Sequence, residues 1–99
     1  MPNETKAVVG MMWYRRDQWD RWKDVTPDWD EMSPTYDAWL REAKRGVRVY
    51  EDQGIYVERV EADVDEVLAW CRYKGLQPNG AARSQYAAER VRLKNQPNN

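Results

Sequence analysis

Tryptophan and tyrosine supply an unusual share of the apolar surface in this 99-residue chain, and that limits how it can fold. There are six Trp and six Tyr but no Phe, and Val, Ile and Leu together make up only about 15% of the residues. So low an aliphatic content is typical of disordered chains, but those also have few aromatic residues and a high net charge. Because each Trp or Tyr buries on the order of 150–250 Å², we expect a folded domain with a largely aromatic core.

Length and charge narrow the class of protein further. We expect one globular domain over residues 1–94 and a disordered tail at 95–99. The chain has 16 basic and 17 acidic residues, which is not the basic balance of a protein that binds nucleic acid or an anionic membrane. We find no membrane-length apolar run, no signal peptide and a single cysteine, so we expect a cytoplasmic protein.

The first third of the chain predicts a strand and a short helix. Residues 6–15 form an apolar run without alternation, which is typical of a strand buried on both faces. Asp17 is placed to cap a helix over residues 18–25, with Trp19 and Trp22 on one face.

A longer amphipathic helix is predicted next. Ser33 fits an N-cap with Pro34 at the first helical position, and Gly54 fits the helix terminator. Six apolar residues recur at helical spacing: Tyr36, Trp39, Leu40, Ala43, Val47 and Tyr50. Gly46 is unfavourable inside a helix, so the alternative is a hairpin that pairs residues 47–50 with residues 55–60.

The second half predicts one more strand and two more helices. A strand over residues 55–61 precedes a helix that Asp63 caps and Gly75 ends, and a final helix covers residues 81–94. The order β-α-α-β-α-α indicates an α/β fold (α+β being possible) with a small two-stranded sheet packed by about four helices. Two strands leave both sheet edges unpaired. We therefore expect a homodimer, formed through a strand edge that extends the sheet or through an aromatic surface.

Several short segments also carry a likeness to other sequences. They are Trp-Tyr-Arg at 13–15, Pro-Thr-Tyr-Asp-Ala-Trp-Leu at 34–40, Gln-Gly at 53–54, Asp-Glu-Val-Leu-Ala-Trp-Cys-Arg at 65–72, and Gly-Leu at 75–76. In this frame the chain resembles a group of small, uncharacterised bacterial hypothetical proteins over most of residues 7–90. The resemblance implies that the second helix runs on into Gln53-Gly54, and it implies no activity.

Catalytic and metal-binding patterns are sparse. The chain has no histidine, which removes the usual general base near neutral pH, and no Gly-rich phosphate loop. Cys71 falls on the apolar face of the third helix and is expected in the core. We expect Asp28, Asp30 and Glu31, with Asp24 nearby at the end of the preceding helix, to be a solvated acidic loop, because the calcium-loop pattern fails there. We predict no cofactor and no metal, and the residues left for catalysis (carboxylates, Lys, Tyr and Arg) form no recognisable pair.

The tryptophans are the basis of the leading functional hypothesis, a non-catalytic protein–protein interaction module. Trp13 and Trp39 are expected in the core, but six indole rings are many for one small domain. Trp, Tyr and Arg also dominate binding hot spots. The candidate partner-binding residues are Arg15, Arg16, Trp19, Trp22, Trp29, Trp70 and Tyr73.

Two other functional classes stay open at this point. The third and fourth helices with their Gly-containing turn can be interpreted as a helix-turn-helix that binds nucleic acid weakly, with Arg83, Ser84 and Gln85 as contacts. The other class is a small enzyme that uses carboxylate, Tyr or Lys chemistry.

Overall fold

Two parallel strands lie at the centre of the computed structural model, which describes residues 7–95. The strands are β1 (Val8–Met12) and β2 (Tyr56–Val60). The helices are α1 (Trp19–Val25), α2 (Tyr36–Asp52), α3 (Val64–Lys74) and α4 (Gly80–Lys94). Short 3₁₀ turns at Arg16–Gln18 and Trp29–Glu31 flank α1. The predicted β-α-α-β-α-α order and the small α/β fold are confirmed.

The register of the sheet determines which backbone groups of β1 are hydrogen-bonded to β2. Pairing runs from Val8 opposite Tyr56 to Met12 opposite Val60. At the two ends of the ladder, the Tyr56 N–H donates to Ala7 O and the Trp13 N–H donates to Val60 O, each at 2.9 Å. Successive residues of a strand direct their backbone groups to opposite sides. The N–H and C=O of the even-numbered β1 residues therefore point away from β2.

The two faces of the sheet are covered by different helices. Val9, Met11 and Trp13 pack with Val57 and with α2 in one core cluster. On the opposite face, Met12 belongs to a second cluster that includes Ala87 of α4. This split follows from the two-residue period of side chains along a strand.

The long helix α2 is continuous through Gly46, so the hairpin alternative is wrong. Its cap differs from the prediction. Thr35 is the N-cap, its backbone is extended, and its hydroxyl accepts a 3.1 Å hydrogen bond from the Ala38 N–H. Ser33 and Pro34 therefore precede the helix. Gly54 has a φ of +79° just after the helix, which is the left-handed terminator that was predicted.

The prediction for the first segment is wrong in two details. Val8 is 43% exposed and only Met12 within β1 is buried, so the strand is not enclosed on both faces. Asp17 does not cap α1, because both of its carboxylate oxygens accept hydrogen bonds from the Arg15 guanidinium. A 3₁₀ turn replaces the expected first turn of the helix.

The second half of the chain agrees closely with prediction. Asp63 accepts a hydrogen bond from the Asp65 N–H as the N-cap of α3, and Gly75 ends that helix with a φ of +72°. Asn79 caps α4 in the same way through the Ala82 N–H. Residues 96–99 of the predicted tail lie outside the described residues. Within residues 7–95, no helix combines the length and apolar character that crossing a membrane requires.

Candidate functional site

The first two tryptophan candidates lie in the core. Trp19 is 5% exposed and Trp22 is fully buried. The Trp22 ring packs edge-on against Tyr14, with ring centroids 5.2 Å apart. The expectation that Trp19 and Trp22 form a binding surface is therefore wrong. It fails because the apolar face of α1 turns inward onto Tyr14, at the end of β1.

The other aromatic candidates of that hypothesis differ in exposure and lie on two elements, Trp29 in a 3₁₀ turn and both Trp70 and Tyr73 on α3. Trp29 is 56% and Tyr73 85% exposed. Trp70 is half-buried, with its ring against Tyr86 and its Nε1–H donating to Glu89 at 3.2 Å. No ring contact joins Trp29, Trp70 and Tyr73 in the described part of the chain.

The two arginines of the same hypothesis are exposed but already paired. Arg15 binds Asp17 at 2.9 Å. Arg16 binds Asp37 at 2.7 Å and lies over the Tyr36 ring, 4.6 Å from its centroid. In the described part of the chain, no ring contact thus joins the aromatic candidates into one patch.

Arg83 differs from the other predicted nucleic-acid contacts because it is buried. It is only 6% exposed, so the prediction that it contacts nucleic acid is wrong, whereas Ser84 and Gln85 are exposed. A charge buried this deeply requires partners. Its Nε donates to the Tyr14 hydroxyl at 2.7 Å, and its Nη1 donates to Thr26 Oγ1 and Pro78 O, each at 2.9 Å.

Asp28 completes this network from the loop that follows α1. One carboxylate oxygen lies 3.4 Å from Arg83 Nη1, and the other accepts a 2.9 Å hydrogen bond from the Gly80 N–H. Burial acts to raise the pKa of Asp28, but the Gly80 hydrogen bond and the Arg83 charge outweigh it, so the pKa lies below its usual range. Asp28 therefore links the loop after α1 to α4, and it is not part of a freely solvated loop.

Tyr14 joins this network to the aromatic core. Its ring packs edge-on against both Trp22 and Trp39. Burial raises the pKa of its hydroxyl, against the lowering effect of the Arg83 charge. The neutral phenol therefore persists at physiological pH, as a hydrogen-bonding group.

A groove along the free edge of β1 is the second notable feature. It has a volume of about 530 Å³ and contains all five residues of the strand, Val8–Met12. Its walls come from α2 and α4. They are formed by Tyr50, Ser84, Ala88, Val91 and Arg92. Among residues 7–95, Arg92 is the one charged side chain that lines the groove, and the other lining residues are apolar or small. The outward backbone groups of Val8, Gly10 and Met12 face this side.

The free edge of β2 is chemically different. The depression there is lined by four charged residues, namely Glu51, Glu58, Arg59 and Lys94. Lys94 pairs with Glu58 at 2.6 Å, and Arg59 lies over the Trp13 ring, 4.4 Å from its centroid. Charges on an edge strand discourage the addition of another strand. The two edges of this sheet are therefore protected unequally.

Other chemistry-bearing groups are not assembled into a site. Cys71 is buried, as predicted, and burial raises the pKa of its thiol. Over residues 7–95, no three acidic or cysteine side chains converge as metal ligands would.

The fold and the sites together define a small α/β protein with one open, apolar strand edge and one buried arginine network. Comparison with protein-family models, with curated proteins and with solved structures finds no match to this chain. We therefore infer the function from the chain's own residues.

The sequence predicts only part of the open strand edge and of the buried arginine network. A strand edge was expected to be open, but the pattern could not show which edge or what lines it. Nothing in the local sequence of Arg83 distinguishes a buried arginine from an exposed one. Arginine is almost never fully buried unless it is paired, so exposure is the natural expectation from sequence.

Proposed function

We propose that this protein is a non-catalytic protein–protein interaction module that pairs with a second copy of itself through the free edge of β1. The proposal depends on the direction in which the backbone N–H and C=O groups of three β1 residues point. The N–H and C=O of Val8, Gly10 and Met12 point away from β2, toward an open apolar groove. Within residues 7–95 no third strand satisfies them. An unpaired edge of this kind is a template for another extended strand.

A second β1 is the partner that this edge fits best. If two copies meet antiparallel about a twofold axis near Gly10, that residue exchanges both of its hydrogen bonds with its counterpart. Val8 of one copy then lies opposite Met12 of the other. The result is a four-stranded sheet, a more usual size than two strands. The same three residues donate and accept on both sides, as an isologous interface requires.

The walls of the groove favour this pairing over one with a charged partner. Ser84 and Ala88 are small, exposed residues one helical turn apart on α4, so helices from two copies can approach closely over the joined sheet. Arg92 is the single charge that lines the groove, and it lies toward the end where the strand begins. Burying this edge therefore removes little charged surface from water.

The test is the mass of the protein in solution as a function of concentration, measured by sedimentation equilibrium. We expect twice the 11.8 kDa chain mass at high concentration. Val8→Pro removes one outward N–H and no bond between β1 and β2, which suits an edge position. We expect this variant to be monomeric with an unchanged circular dichroism spectrum.

Tyr73→Ala is the matched control, because this side chain is 85% exposed and lies on α3, away from the groove. It should remain dimeric. A wild-type mass of 11.8 kDa at every concentration would overturn the proposal. A Val8→Pro variant that is still dimeric would also overturn it, because the interface would not use the β1 edge. A Tyr73→Ala or Trp29→Ala variant that is monomeric would instead place the interface on the exposed aromatic residues.

A further inference from the structure

A small cavity lies against the Arg83 network, and it shares no residue with the β1 groove. Its volume is about 290 Å³. Its inner wall consists of Tyr14, Trp19 and Trp39, while exposed Glu31 and half-buried Ser33 contribute to its rim. Arg83 lines it as well. The cavity is close to the lower end of the size range of small-molecule sites, so it suits a ligand with a single ring.

Two hydrogen-bond donors beside this cavity lack acceptors. Arg83 uses Nε once and Nη1 three times, but no hydrogen bond in the described part of the chain uses Nη2. A guanidinium is planar, and one Nη2 hydrogen is parallel to the Nε–H. It therefore points toward the same side as the Tyr14 hydroxyl. That hydroxyl accepts from Nε, and its own proton has no acceptor among residues 7–95.

Donors that face a cavity beside a buried charge favour an acceptor from outside the protein. Arginine matches a carboxylate in shape and in charge. The nearest carboxylate of the chain, Asp28, is already held by the Gly80 N–H and by Nη1. Trp19 and Trp39 add flat apolar surface on the inner wall.

We propose that this cavity binds a small aryl carboxylate. The carboxylate accepts hydrogen bonds from Arg83 Nη2 and from the Tyr14 hydroxyl, and the ring lies against Trp19 and Trp39. Glu31 on the rim acts against the binding of an anion. The site therefore favours a ligand whose negative charge is held deep in the cavity, close to Arg83.

Gly80 lines the cavity and offers a way to narrow it with a single methyl group. A Cβ built on this residue would lie 3.2 Å from Asp28 Oδ2 and 3.7 Å from Arg83 Nη2. It would therefore occupy space in front of the unused donor. Alanine is also a better helix former than glycine in the first turn of α4. Gly80→Ala should therefore weaken ligand binding, while Asp28 moves by a few tenths of an ångström to make room for the methyl group.

The experiment is a titration with benzoate, followed by ¹H–¹⁵N NMR of the backbone and the arginine side chains. Benzamide (a neutral molecule of the same shape) and benzylamine (a cation) are the matched probes. We expect benzoate to shift the resonances of Gly80 and of the Arg83 side chain, benzamide to bind more weakly, and benzylamine to cause no shift there. The Gly80→Ala variant should bind benzoate about tenfold more weakly, a loss of roughly 1.4 kcal/mol, and its Tm is measured in parallel to show that it is folded during the titration. Glu31→Gln should bind it more tightly.

Three outcomes would overturn the proposal. They are the absence of benzoate shifts around Arg83, equal binding of benzoate and benzylamine, and benzoate binding that Gly80→Ala leaves unchanged. Because the cavity and the β1 groove have no residue in common, each result is independent of whether the protein forms a dimer.

Discussion

Gly10 lies so close to α4 that a Cβ built on it would be 2.6 Å from the carbonyl oxygen of Ala87. The same Cβ would be 2.7 Å from Val91 Cγ2. Backbone, rather than a movable side-chain end, blocks the space on one side. The absence of a side chain at Gly10 is therefore what allows α4 to pack on the sheet, and α4 also carries Arg83.

Replacing Gly10 with alanine should destabilise the protein. The new methyl group has to push α4 away from β1, and overpacking of this kind costs about 1–3 kcal/mol. Gly46→Ala is the control, because its Cβ would meet only Met11 Cε at 3.6 Å, an ordinary contact. Since glycine is unfavourable inside a helix, Gly46→Ala should stabilise the fold by about 1 kcal/mol. Urea unfolding of both variants measures the difference, and equal stability would refute the packing argument.

Trp22 and Trp29 should respond oppositely to truncation. Trp22 is fully enclosed, whereas Trp29 is 56% exposed. Trp22→Ala should cost about 3–5 kcal/mol through lost burial and the cavity that it leaves. Trp29→Ala should change stability by about 0.5 kcal/mol or less. Thermal unfolding of the two variants tests this, and a mild effect at Trp22 would return it to the candidate binding residues.

The indole nitrogen of Trp22 makes a second test possible. It is a buried side-chain donor that has no hydrogen-bond partner in the described chain. Such a donor costs about 1–3 kcal/mol when left unsatisfied. Trp22→Phe removes the donor and keeps a ring, so we expect it to destabilise by clearly less than Trp22→Ala in the same urea experiment. A Phe variant as unstable as the Ala variant would show that removing the unpaired donor brings no gain and that the pocket requires the full indole ring.

The sequence predicted the elements that depend on local chemistry. The stripe that runs from Tyr36 to Tyr50 outweighed the cost of Gly46, and α2 is continuous. Helix ends with a suitable cap, at Asp63 and Gly75, were also located correctly. The start of α2 was misplaced, since Ser33 and Thr35 are both good caps and only the tertiary path of the chain selects between them.

The sites depended on long-range packing, which a sequence pattern does not encode. Arg83 and Tyr14 are 69 positions apart, and neither has a neighbour that indicates the other. Similarly, counting six tryptophans suggested that some must be exposed, but not which ones. The structure buries Trp19 and Trp22 because Tyr14, at the end of β1, provides a ring for them to pack against.

Removing the buried guanidinium should be strongly destabilising. Arg83→Met keeps much of the volume but leaves the Tyr14 hydroxyl, Thr26 and Asp28 without their shared donor. Breaking a buried charge pair costs about 3–5 kcal/mol, and we expect the lower end because the Asp28 side chain is 24% exposed. Arg72→Met on the exposed face of α3 is the control and should be nearly neutral. Equal urea midpoints for the two variants would contradict the role assigned to Arg83.

Cys71 should react slowly with thiol reagents in the folded protein. It is 2% exposed, and burial raises the pKa of its thiol, so both access and thiolate formation are suppressed. We expect the rate of modification by a disulfide reagent to follow opening of the fold. It should rise with urea in parallel with unfolding, and faster in Gly10→Ala than in Gly46→Ala. Rapid modification of the native wild-type protein would show that the α3 core opens readily.

Asp28 should make stability depend on pH in the acid range. Its pKa is lower in the folded protein than the ordinary value of 3.8. Burial acts to raise this pKa, but the hydrogen bond from the Gly80 N–H and the positive charge of Arg83 outweigh that effect. A carboxylate whose pKa is depressed by folding stabilises the native state above its unfolded pKa. That contribution is lost as the pH falls through the lower, folded value.

The measurement is the urea midpoint of wild type and Asp28→Asn between neutral pH and the acid limit of folding. At neutral pH the wild type should be the more stable of the two, because Asn cannot balance the buried charge of Arg83. Below pH 3.8 the difference should shrink as Asp28 takes up a proton. Other depressed carboxylates, such as Asp63, are present in both proteins, so only the difference between the two curves reports on Asp28. If the difference stays constant across this range, the charge of the Asp28 carboxylate does not contribute to the stability of the folded protein through its ion pair with Arg83.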